Sequence, residues 1–114
     1  MDRKKELKQQ YKMAKPAMGI FTIRSKSRNK CYLEATPNLK GAINSGKFKL
    51  GAGIHVNHEL QKDWHKYGEN GFIIEILETL EYDRDEAKTD YTEELELLQM
   101  LWEEKMAAAK MEMY

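Results

Sequence analysis

The chain has 114 residues, 41% apolar and 33% charged, a length and composition that fit one globular domain and exclude a disordered or collagen-like polymer. Nineteen Lys+Arg balance nineteen Asp+Glu, which excludes a uniformly basic nucleic-acid binder. The zero is a sum of opposites: Met1 to Asn57 carries 13 basic and 3 acidic residues and His58 to Tyr114 carries 6 and 16, so a +10 half faces a −10 half.

Residues 1–17 are rich in helix formers, Arg3, Lys4, Lys5, Lys8, Lys12 and Lys15 among them, and Pro16 stops any helix there. They read as a basic helical arm. No apolar core follows the basic start, as a signal peptide would need, and the longest apolar run, Gly71 to Leu77, falls far short of the ~20 residues that cross a bilayer. The single cysteine, Cys31, cannot close an internal disulfide, which points to a cytoplasmic address. From Met18 the pattern changes to GIFTIRSK, with period-2 alternation and β-branched content. Ser27 to Lys30 supplies turn residues and CYLEAT resumes, so an antiparallel hairpin is expected.

Thr36-Pro37-Asn38 opens a helix, with Thr as the cap and Pro in the first turn. Leu39, Ile43, Phe48 and Leu50 have near-helical spacing, but Gly41, Gly46 and Gly51 each cost about 1 kcal/mol against Ala, which predicts a short or irregular helix. Asn57 caps HELQKDWHKY, with Leu60, Trp64 and Tyr67 on one face and Gly68 as the stop. FIIEILETL reads as a half-buried or central third strand, and Glu81 to Thr89 as a surface loop. The segment from Asp90 places Leu95, Leu98, Trp102 and Met106 on one face of a long amphipathic helix, most simply a core stripe.

Gly19-Ile20-Phe21, ten intervening residues, and Tyr32-Leu33-Glu34 form a pair of tripeptides on the hairpin. With the segments that follow, this layout resembles the GIY-YIG nuclease superfamily over residues 18–106. The resemblance implies an α/β (α+β) domain, a three-stranded antiparallel sheet flanked by helices, with the arm over 1–17 and a tail over 107–114. It also implies a phosphodiester hydrolase that uses Mg²⁺ or Mn²⁺, with tyrosines, an arginine and a glutamate around the scissile phosphate. Carried onto this chain, Phe21 stands at the first tyrosine, Tyr32 matches the second, and Glu34 replaces a glycine. Ala42 stands at the arginine and Gln99 at the metal-binding glutamate, with Glu96 one turn earlier as an alternative ligand; His55 matches a histidine that some members have near the cleft.

Phenylalanine has no hydroxyl, alanine no charge, and an amide binds magnesium poorly. A nuclease-like domain that binds nucleic acid, DNA foremost, with catalysis weakened or lost, is therefore the expected function. Lys26, Arg28 and Lys30 on the hairpin tip and Lys40, Lys47 and Lys49 around the first helix are the candidate phosphate contacts, against the alternative of a solvated surface. Two other readings stand beside it: an active metal-dependent endonuclease using Tyr32, Glu96 and His55, and an interaction module whose opposed charges join copies head to tail. His58 and His65 lack the HExxH spacing of a zinc pair and read as surface or capping residues.

Overall fold

The computed structural model describes residues 15–114, so most of the expected basic arm lies outside the described residues. Strands β1 (Met18–Ser25) and β2 (Lys30–Thr36) form the expected hairpin, in the register Phe21 with Glu34 and Ile23 with Tyr32. Helices α1 (Leu39–Ala52) and α2 (His58–Tyr67) follow. A short 3₁₀ turn at Glu69–Gly71 then leads to strand β3 (Phe72–Leu80), antiparallel to β1, and helix α3 (Thr92–Ala108) follows the Glu81–Tyr91 loop.

The sheet has four strands, not three. Its order is β3-β1-β2-β4, where β4 is the two-residue strand Glu112–Met113 parallel to β2. The chain reverses after α3 through Lys110, whose φ of 60° is left-handed. Glu112 N–H then donates to Asn29 O and Tyr114 N–H to Cys31 O at 3.0 Å each. A pairing of two residues has no periodicity for a sequence pattern to reveal.

Strand alternation divides the core between the two faces of the sheet. Phe21 and Ile23 of β1 point to one face, where Leu39 and Leu50 of α1, Leu60 and Trp64 of α2 and Phe72 close over them. Ile20, Cys31 and Leu33 point to the other, against Leu98, Trp102 and Met106 of α3, as the helical stripe requires. Central β1 is therefore covered on both sides, and Ile20, Phe21 and Ile23 are each at most 1% exposed. At about 2 kcal/mol per fully buried side chain, these three alone are a large part of what holds the layers together. Strand β3 is an edge strand, half-buried, with Ile76 51% exposed.

Helix α1 runs through its glycines for 14 residues. Its cap is Asn38, not Thr36: Asn38 Oδ1 accepts from Gly41 N–H at 3.0 Å, while Thr36 Oγ1 accepts from Asn38 N–H at 3.2 Å. Burial of Leu39 and Leu50 supplies the free energy that glycine propensity withholds. Asn57 caps α2 as expected, its Oδ1 accepting from Leu60 N–H at 3.1 Å.

Gly19, the first residue of the motif, has a packing reason. A Cβ there would stand 2.1 Å from Glu78 O of β3, a backbone atom that cannot move aside. Gly46 is the opposite case: buried in α1, yet a Cβ would meet nothing within 4 Å. Gly19→Ala is expected to destabilise the fold by about 3 kcal/mol. Gly46→Ala should stabilise it by about 0.5–1 kcal/mol. Urea denaturation of the two variants checks both signs.

Candidate functional site

Tyr32 and Glu34 are two residues apart on β2, so they share the face that α1 and α2 cover. The Tyr32 hydroxyl donates to Glu34 Oε1 at 2.6 Å. Burial first, and then the adjacent carboxylate, push the phenol far above its ordinary range, because a phenolate there would be desolvated and repelled. Tyr32 is held as a neutral donor. Its ring meets His55 edge-on, with centroids 5.3 Å apart at 86°.

His55 reaches this place from the loop between α1 and α2, and it is only 6% exposed. Its Nδ1 accepts from Asn57 N–H at 3.0 Å, so the neutral ring carries its proton on Nε2. The His55 backbone N–H donates to Gln61 Oε1, and Gln61 Nε2 donates to Leu50 O at 2.9 Å, which fixes the loop against the end of α1. Burial lowers the imidazole's affinity for a proton and Lys49 adds to that, while Glu34 opposes both.

Gln99 of α3 lies beside the same tripeptide. Its Oε1 accepts from Ala35 N–H at 2.8 Å and its Nε2 donates to Leu33 O at 3.1 Å, so one amide pairs with the backbone on both sides of Glu34. The edge of β2 beyond β4 has no strand neighbour, and the Gln99 amide stands in for one. Nε2 also donates to Glu103 Oε1 at 3.1 Å. A carboxylate could accept from Ala35 but would face the Leu33 carbonyl with repulsion, which accounts for an amide here.

The donor set does not fit a divalent cation. The Gln99 amide oxygen is committed to a backbone N–H, and the nearby carboxylate, Glu34, is committed to a phenol. Among the described residues no group of three or more His, Cys, Asp or Glu could hold a metal ion. Glu96 is exposed and lines a groove of about 600 Å³ with Asp90, Thr92, Gln99 and Met100. Phe21 is buried in the core, and Ala42 packs beside it on α1, with no charge in reach of a phosphate from either.

The basic candidates separate into two groups. Arg28 Nη1 donates to Asp63 Oδ1 at 3.0 Å and Oδ2 at 2.8 Å, and the buried Asp63 also accepts from Tyr114 Oη at 2.8 Å. Tyr114 is pushed up to about 12 by burial and then by that carboxylate. Lys30 is buried, pairs with Glu59 and lies 3.9 Å from Glu112. These two cations tie the hairpin tip to α2 and the returning strand. Lys26, Lys40, Lys47 and Lys49 are exposed and make no ion pair among the described residues; Lys26 and Lys47 line one cleft with Trp64 and Glu69. Asp63 was legible in principle as a carboxylate within the Leu60–Trp64 stripe of α2. Such a group in an apolar face needs a buried partner.

No family model and no curated protein matches the chain. Solved structures similar to it include the catalytic domain of homing endonuclease I-TevI, with a TM-score of 0.65 at 23% identity over 83% of this chain and 94% of that one. A mutant of the catalytic domain of intron endonuclease I-TevI gives 0.61 at 22% identity, over 84% and 90%.

The His55 shift makes stability depend on pH. The unfolded imidazole protonates near pH 6.5 while the folded one resists, so stability is whole above about 6.5 and drains as pH falls below it. The urea midpoint should fall between pH 7.5 and 5.5, and less steeply in His55→Gln.

Proposed function

We propose that this chain, which has the GIY-YIG fold, is a nuclease-like domain that binds nucleic acid, duplex DNA foremost, and whose catalytic capacity is weakened or lost. The observation that carries the reading is the Tyr32–Glu34 hydrogen bond. Where the superfamily pattern has a glycine that lets backbone approach phosphate, this chain sets a carboxylate that repels phosphate and holds the matching tyrosine's proton. The phenol cannot act as a general base while Glu34 accepts from it and its affinity for the proton is raised.

Binding rests on different residues. From Ala35 to His58 the chain has three lysines, Lys40, Lys47 and Lys49, and no acidic residue. Lys26 of the hairpin tip shares a cleft with Lys47. Four exposed ammonium groups neutralise phosphates without reading sequence, and their effect weakens with salt. Arg28 and Lys30 do not belong to this set, because their charges are spent on Asp63 and Glu59.

Fluorescence anisotropy with a 20-base-pair duplex at 50 and 200 mM salt tests the reading. Binding that weakens on the order of 100-fold across that range is expected for four phosphate contacts. Replacing Lys47 and Lys49 with alanine should lower the salt slope by about 2, and replacing Arg28 should leave it unchanged. No binding at 50 mM salt would reject the proposal.

A further inference from the structure

The surface around His55 has a property that phosphate binding does not explain. Phe48 is 72% exposed, Ile54 61% and Val56 76%. Backbone geometry brings them to one place. Helix α1 ends in a left-handed turn at Gly53, φ 77°, with Gly53 N–H donating to Leu50 O at 3.3 Å and Ile54 N–H to Lys49 O at 2.9 Å. That pair of bonds folds Ile54 back toward the end of the helix, where Phe48 immediately precedes the last turn. The chain then continues with His55 turned inward to Tyr32 while Ile54 and Val56, on either side of it, face solvent. Three large apolar side chains therefore stand exposed at the end of α1 and in the loop that carries His55.

Nothing in the fold needs them there. Each exposes apolar area that a serine or lysine would not, and exposed apolar clusters of this kind mark interaction sites. The charge around them selects the partner. Lys47 and Lys49 flank Phe48 directly, and no carboxylate occurs in the chain from Ala35 to His58. A polyanion is favoured over the acidic α3 of a second copy, because a polyanion also needs the lysines that continue to Lys26 and Lys40. Two of the three residues are aliphatic, so the patch is not a stacking platform for single strands, which uses aromatic rings. Apolar side chains backed by lysines suit insertion between stacked base pairs, where they open a step and bend the duplex.

We propose that Phe48, with Ile54 and Val56 beside it, is a wedge that enters the base stack of duplex DNA held by Lys26, Lys40, Lys47 and Lys49. This rests on the nucleic-acid reading above and adds a mode of contact to it. The wedge opens the duplex at its most deformable steps, so the domain prefers pyrimidine–purine steps without hydrogen-bonding to their edges.

The test uses the full chain and duplexes carrying 2-aminopurine beside a central TA step or within an A-tract. The wild type should bind the TA duplex more tightly and raise its 2-aminopurine fluorescence, the mark of an unstacked base. Phe48→Ser should weaken binding about tenfold at an unchanged salt slope and abolish the fluorescence rise. Phe48→Leu should restore both, because a wedge needs apolar bulk and a stacking ring needs aromaticity. Phe48 is exposed, so urea denaturation should find all three proteins equally stable. Wild-type binding with no fluorescence change, or with Phe48→Ser indistinguishable from it, overturns the wedge and leaves the lysine face standing. Absence of wild-type binding overturns the nucleic-acid reading itself.

Discussion

The outer edge of β2 is the constraint from which the arrangement of the site follows. A strand edge in a small domain presents backbone groups that must be paired or covered. Here the lower part is paired by the two residues of β4 and the upper part by the amide of Gln99. Between the two bonds of that amide sits Glu34, turned to the opposite face with its carboxylate on Tyr32. A single side chain of α3 thus secures the helix to the sheet and holds the backbone on either side of the second tripeptide. The Gln99 amide thus acts as an edge clamp.

The same economy explains the division of charge. The +10 and −10 halves of the sequence meet at the hairpin tip, where Arg28 binds Asp63 and Lys30 binds Glu59 and approaches Glu112. Asp63 and Lys30 are buried, so removing one partner would strand a charge in the interior. Among the described residues Lys40, Lys47 and Lys49 of α1 make no ion pair, and neither do Glu93, Glu96 and Glu104 of α3. A zero net charge is therefore compatible with two surfaces of opposite sign, one of which suits a polyanion.

Much of this was legible in the residues. The hairpin, the Asn57 cap and the α3 stripe each follow from patterns within one short window, and tripeptide spacing carried the fold. What escaped depended on distant partners. Strand β4 exists because Asn29 and Cys31 offer carbonyls to a chain reversed at Lys110. Helix α1 is regular because Leu39 and Leu50 are buried, a tertiary gain that glycine propensity cannot register. In the candidate site, Phe21, Ala42 and Gln99 were recognisable as departures from a pattern. The bonds these side chains make were less visible, although Tyr32 and Glu34 at i and i+2 on a strand were bound to share a face.

The central claim is that chemistry has been closed at this site while the fold is kept. A supercoiled-plasmid nicking assay in Mg²⁺ and in Mn²⁺ addresses it directly, comparing the wild type with Tyr32→Phe. The account predicts no nicking above the protein-free control in either metal, and therefore no difference between the two proteins. Metal-dependent nicking by the wild type that disappears in Tyr32→Phe would contradict it.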